Sequence, residues 1–334
     1  MTDDAVRISP LRRFRLGGAS AQLSLLVIVV ALWVVFSIKS SGFLSSFNLF
    51  ALGRSLAVDV VIGFSQMVVL ATGGMNLAVG SIGVCAVMFG GTLMQTMGLP
   101  VPIAFALAIL LGGALGWLNG FAIVRTGVSS FVITLASANL YSGAMLILTR
   151  AVPLNQLPPE VGAFGRLRIA GIVSPFLVIA AVLGVALFVL YRYSVLGRYF
   201  LAAGANPRAA AMSGVPVQRA VVTSHILSGV LAAVAGLMVV ARVGAAMPAV
   251  GGEDWLLPSF LGPVVGGTLL SGGVVSVFGS FLGAGLVTTI RSGLLVMGIG
   301  NFWLQLFLGL VLLGAVLIER YRAVRIERRP FPPR

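Results

Sequence analysis

The chain has 334 residues, 59% hydrophobic and 9% charged, with a formal net charge of +14 from 22 Lys and Arg against 8 Asp and Glu. A soluble domain carries about 25% charged and 45–50% apolar residues, so a water-soluble globule is excluded, and so is a disordered chain, which lacks long apolar runs. The basic residues lie at the termini and in short loops, which leaves no basic face for a nucleic acid.

The composition points to an all-α, polytopic transmembrane bundle. Residues 1–20 form a basic N-terminal segment followed by an apolar run without a small-residue cleavage site, which reads as an uncleaved first span. At about 20 residues per crossing, about ten spans follow one another, at 21–38, 55–71, 79–97, 102–124, 129–149, 173–191, 221–242, 256–270, 275–296 and 300–318. Residues 21–318 are then the membrane domain and 319–334 a basic tail. An even count places both termini on one side. Fifteen of the 22 basic residues, including Arg125, Arg192, Arg198, Arg208, Arg219 and those from Arg320 to Arg334, share that side, and the cytoplasmic bias of Lys and Arg makes it the cytoplasm. Segment 192–220 is therefore expected inside and 150–171 outside.

Helices in lipid gain no hydrophobic drive toward one another, so small residues that permit close approach mark their contacts. Gly112, Gly116 and Gly120 recur at i+4, and Gly262/Gly266 and Gly279/Gly283 repeat the spacing. These are packing signals.

The catalytic inventory is nearly empty. His225 is the single histidine and reads as a packed residue, since no acid shares its helix; Cys85 is the single cysteine, so neither a disulfide within the chain nor a multi-cysteine metal site can form. Asp59 alone of the acids falls inside a span, where Arg54 or Arg291 could neutralise it. Were it free instead, an ion-coupled secondary transporter would be the alternative reading. The sole lysine, Lys39, lacks the Gly-rich loop that a nucleotide phosphate needs. Leu270-Ser271-Gly272-Gly273 looks like an ATPase signature but reads as a turn between two spans.

Two segments stand out. Thr72-Gly73-Gly74-Met75-Asn76-Leu77-Ala78-Val79-Gly80-Ser81 interrupts an apolar run, so the helix is expected to unwind there. Unwound backbone at membrane depth occurs where protein covers it or where it lines a cavity. Gln66, Thr72 and Asn76 are the candidate pathway lining, with Phe131 and Thr134 added to them. In the second segment Asn206 is an N-cap, Pro207 fits the first helical position, and Ser213-Gly214 stops the turn. Gly204, Asn206, Pro207, Arg208, Ala209, Ser213 and Gly214 thus belong to a short exposed helix suited to docking a partner.

These blocks resemble the permease subunits of bacterial ABC importers for ribose and related simple sugars. Gln66 to Ser81, Tyr193 to Ala241 and Gly266 to Ile318 match in order and spacing, the last through Gly266-Gly267-Thr268, Gly272-Gly273, Gly279 and Phe302-Trp303-Leu304-Gln305. Asn76 stands where the family usually has Asp, and Leu256 and Pro258 at positions often acidic in ribose-type members. Asn still donates and accepts hydrogen bonds, which suits a polyhydroxylated solute.

The resemblance implies a permease of the bacterial inner membrane that pairs with a second permease subunit, identical or not. It also implies ABC ATPase subunits that use ATP and Mg, with no cofactor bound by this chain, and an extracytoplasmic binding protein that delivers a sugar or sugar-like solute. The docking helix of the family falls on Gly204 to Gly214.

Overall fold

The computed structural model describes residues 11–249 and 251–298, together with 303, 305–307, 309, 310, 313, 314 and 317. The described residues form α1 (Leu11–Lys39), α2 (Ser46–Leu70), α3 (Val79–Gln95), α4 (Val101–Thr126), α5 (Ser130–Thr149), α6 (Pro159–Arg166), α7 (Pro175–Tyr193), α8 (Val195–Ala205), α9 (Pro207–Met212), α10 (Val217–Val243), α11 (Leu256–Val265) and α12 (Val277–Val296). A 3-10 turn at Gly252–Trp255 precedes α11, and among the described residues two isolated bridges, Leu154 with Ala246 and Ile169 with Val173, are the only extended pairings.

Seven of these helices are long and apolar enough to cross a membrane: α1 from Gln22, α2, α4, α5, α7, α10 and α12. The seventeen residues of α3 are shorter but equally apolar. α2 begins nine residues before the expected 55, because the Ser45 hydroxyl accepts from the Asn48 amide (3.2 Å) and caps an earlier start. The expected outer loop 150–171 holds α6, which starts at a proline with Glu160 in its first turn, the arrangement a helix N-terminus favours.

The segment 256–270 departs from expectation. Its helix, α11, has ten residues and a rise of about 15 Å, half the roughly 30 Å of hydrocarbon. It ends at Gly266, Pro263 having already removed a donor, and Gly267 turns the chain at φ 91°. Before it the chain makes only the single 3-10 turn, with Gly251 against the Gly80 carbonyl and the Trp255 ring on Gly83. What reads as one apolar run is a half-length helix entered through a folded loop. The expected span 300–318 lies largely outside the described residues, as do residues 1–10 and the tail 319–334.

α2 lies at the centre, antiparallel to both α12 and α10. Met67 meets Ser280 and Asp59 meets Thr288 along the first pair, while Ser65 meets Ser228 and Ser55 meets Arg242 along the second. Val60, Val61, Phe64, Val68, Ile82 and Met88 are buried in one apolar cluster, in which the Phe64 ring lies against Gly184 of α7. α1, α5 and α7 turn rows of Val, Leu and Ile outward, as in Val27, Leu148 and Val185. In lipid such surface needs no cover.

The glycine spacings are contact faces. A Cβ on Gly116 of α4 would strike the His225 carbonyl of α10, and one on Gly112 would strike Gly229 and Ala233. Gly262 faces Gly283, and Gly266 faces Gly279, between α11 and α12. At these places backbone lies on backbone, which any larger residue would separate.

Candidate functional site

The chain unwinds between α2 and α3, where the Gly-rich run predicts it. Gly73 takes φ 76°, a left-handed value that suits glycine, and the Gly74 amide returns to the Val69 carbonyl (3.2 Å). The residues that follow cannot satisfy their own backbone, so side chains do it. Gln66, with its amide turned to suit both partners, donates to the Asn76 carbonyl (2.9 Å) and accepts from the Asn76 amide (3.3 Å). Ser130 accepts from the Met75 amide (2.9 Å) and Thr134 from the Leu77 amide (3.0 Å), which ties the break to the start of α5.

Asn76 is the hub. Its Oδ1 accepts from the Ala78 amide (3.0 Å) and its Nδ2 donates to the Ser228 hydroxyl (2.9 Å), which lies 2.9 Å from the Ser65 hydroxyl. Thr72 donates to the Val69 carbonyl (2.8 Å) and stands 3.4 Å from the Ser224 hydroxyl. Gln66, Asn76 and Thr134 are buried in one neutral network of amides and hydroxyls, and Thr72 is buried in a separate pair with Ser224. Phe131, the fifth expected residue, is 49% exposed on α5 and stands apart from the network. Ser65, Ser130 and Ser228 join the network, and Ser224 pairs with Thr72, without having been expected, because a serine gives no periodic signal.

The second segment forms as its cap predicts. Asn206 Oδ1 accepts from the Ala209 amide (3.0 Å), Pro207 opens α9, and Gly214 stops it at φ 79°. Arg208, Ala209, Ser213 and Gly214 are exposed. α8, which leads into it, is held by the Ser194 cap on the Gly197 amide (3.0 Å) and by the buried ring of Phe200.

Gly204, at the end of α8, lies directly on the break. A Cβ there would strike the Ala71 carbonyl, and the same carbonyl accepts from the Gly273 amide (3.1 Å). A Cβ on Gly272 would meet the Gly73 amide nitrogen at 2.6 Å. The Leu270–Gly273 turn, which sequence alone reads as a bare connection, is therefore the third strand of a backbone junction with the helix break and the end of α8.

Asp59 is neutralised. Arg291 Nη1 lies 3.2 Å from its carboxylate, and the Thr288 hydroxyl donates to the same oxygen (2.9 Å). Arg54, the other expected partner, donates instead to the Gly165 carbonyl (3.3 Å). His225 is buried against α4, with Nδ1 2.9 Å from the Val221 carbonyl. Among the described residues no three His, Cys, Asp or Glu side chains converge as a metal site requires.

Residues 48–317 match the protein family described as "Branched-chain amino acid transport system / permease component". The chain is 31% identical over 315 residues to the ribose import permease protein RbsC of Bacillus subtilis, covering 93% of this chain and 97% of the relative. It is 31% identical over 328 residues to the fructose import permease protein FrcC of Rhizobium meliloti, covering 95% and 90%. It is also 29% identical over 298 residues to the D-allose transport system permease protein AlsC of Escherichia coli, covering 89% and 90%. No solved structure gives a significant match.

Proposed function

We propose, for a chain that belongs to the branched-chain amino acid transport system / permease component family, that its bundle forms the pathway for a sugar or sugar-like solute. The chain is a multi-pass membrane permease of an ABC importer and is not itself an enzyme. Its relatives are named for the import of ribose and fructose and the transport of D-allose, all polyhydroxylated and uncharged. The amide and hydroxyl groups of Gln66, Thr72, Asn76 and Thr134 suit such a solute, because hydroxyls can replace the hydrogen bonds these groups make with one another. Phe131 extends the lining on α5, where an apolar face borders the path.

Several features of the assembly belong to the same proposal. The chain sits in the bacterial inner membrane, crosses it about ten times with both termini in the cytoplasm, and completes the eighth crossing with the folded loop before α11. It pairs with a second permease subunit. ABC ATPase subunits use ATP and Mg, and an extracytoplasmic binding protein delivers the solute to the segments 150–171 and 244–255. The exposed α9 and its flanks, with Asn206, Pro207, Arg208, Ala209, Ser213 and Gly214, form the surface that meets the ATPase, and Gly204 links that surface to the break.

The observation that carries this reading is the contact of Gly204 with the Ala71 carbonyl. A push on α9 passes through one helix, α8, to the unwound segment that carries Asn76, without an intervening layer that could absorb it. Arg208→Glu tests this. The variant is expected to insert normally and to lose ATPase on co-purification, and undiminished ATPase would count against α9 as the docking surface. The ion-coupled alternative needs a free Asp59, and that carboxylate is held by Arg291 and Thr288.

A further inference from the structure

At the end of the bundle opposite the break, arginines gather without enough carboxylates to match them. Arg54 comes from α2, Arg168 from the segment after α6, Arg242 from the last turn of α10 and Arg291 from α12. The guanidinium carbons of Arg54 and Arg168 lie 4.6 and 4.7 Å from the centroid of the Phe50 ring, so one buried aromatic holds both. Arg54 Nη1 donates to the Gly165 carbonyl (3.3 Å) and Arg242 Nη1 to the Ser55 hydroxyl (3.4 Å). Arg54 is close enough to Arg168 and Arg242 to be repelled by both, while Arg242 is attracted by Asp59 and, less strongly, repelled by Arg291.

A single carboxylate answers these four charges. Asp59 is committed to Arg291 and Thr288, and this is the only ion pair among the described residues. Arg54 Nε is buried and has no hydrogen-bond partner among the described residues. A half-buried group of like charges with an orphaned donor is poorly balanced unless an anion joins it.

We propose that Arg54, Arg168 and Arg242 form a site for a phosphate-type oxyanion, carried by an anionic phospholipid headgroup or met as the free ion. Guanidinium forks match the oxygens of a phosphate, and the Phe50 ring holds two of them in place. The site lies toward the ends of apolar helices, the depth at which basic groups meet lipid headgroups. A small anion fits better than an acidic protein side chain. α6 is bonded to Arg54 through Gly165 and packed on the Ala241 carbonyl, and of the three arginines Arg168 is the exposed one.

The test uses the full chain, purified in neutral detergent and reconstituted in nanodiscs of phosphatidylcholine with or without phosphatidylglycerol. Thermal unfolding and retained lipid, read by native mass spectrometry, are followed beside a titration of the detergent-solubilised protein with inorganic phosphate against chloride at matched ionic strength. Phosphatidylglycerol is expected to be retained and to raise the melting temperature. Arg168→Gln, an exposed position that should not disturb folding, is expected to weaken the interaction about tenfold, the loss of one charge-assisted bond. Arg150→Gln, outside the cluster, should leave it unchanged.

A preference for phosphatidylglycerol without a phosphate effect assigns the site to headgroups, and full stabilisation by phosphate alone assigns it to the free ion. The proposal is overturned if neither anion stabilises the protein, or if Arg150→Gln weakens binding as much as Arg168→Gln. It is equally overturned if Arg168→Gln and Arg54→Gln keep anion binding intact and lose only the docking of a protein partner.

Discussion

Replacing Asn76 by Ala removes the hub of the helix break. Two hydrogen bonds disappear, one to the Ser228 hydroxyl and one from the Ala78 amide. Ser228 keeps its contact with Ser65, but the Ala78 amide is left in a buried place without an acceptor. Each lost bond is worth about 1 kcal/mol net, and a stranded buried amide costs about 1–3 kcal/mol, so the variant should be about 2–4 kcal/mol less stable. Denaturant unfolding in mixed micelles measures this, and hydrogen exchange at residues 77–79 locates it. Ser228→Ala should cost a similar amount, about 2–4 kcal/mol, because it removes the bonds to Asn76 and Ser65 and strands the buried Asn76 Nδ2. The two changes together should be non-additive, since they share one bond. Stability within about 0.5 kcal/mol of wild type, with unchanged protection at 77–79, would refute the brace. Uptake is expected to fall with the same substitution. Uptake that stays intact while the break loosens would mean that the constriction is apolar and that Asn76 only holds backbone.

Other positions separate structural from functional charge and close packing from open space. Arg291→Ala strands Asp59 and should destabilise by about 2–3 kcal/mol, below the 3–5 of a fully buried pair because Arg291 is 29% exposed. Asp59→Asn keeps an acceptor for Thr288, and ATP-driven uptake through it should survive; complete loss of transport by a stably inserted Asp59→Asn protein would restore an ion-coupling role. Gly116→Ala puts a methyl group into the His225 carbonyl and should cost about 1–3 kcal/mol, whereas Gly143→Ala, in α5 with nothing near, should be neutral or stabilising by up to about 1 kcal/mol. Equal effects of these two substitutions on unfolding would contradict the packing described between α4 and α10.

Much of this architecture is legible in residue order because membrane physics leaves few choices. Apolar runs near 20 residues become helices, and Gly112, Gly116 and Gly120 face a neighbour because a lipid-facing helix gains nothing from bare backbone. Asn206 and Pro207 announce the start of α9 by local hydrogen bonding alone. What stays hidden is set by contacts distant in sequence. Ser65 and Ser228 look like any serines in an apolar run until α2 and α10 bring them 2.9 Å apart. Gly272 and Gly273 look like an ordinary turn until Gly73 and Gly204 close on them. Hydropathy reads 256–270 as one span, since it measures apolar content and is blind to the loop that delivers α11 part-way into the bundle.

This chain is the permease of an ATP-driven sugar importer. The most direct test of that role is uptake of labelled monosaccharides, ribose, fructose and allose in parallel, into cells carrying the chain with the ATPase and binding protein that co-purify with it. Uptake of at least one of these sugars is expected to be abolished by vanadate and to persist over short times after an uncoupler collapses the proton gradient. Uptake that disappears with the proton gradient while ATP is held constant would contradict it.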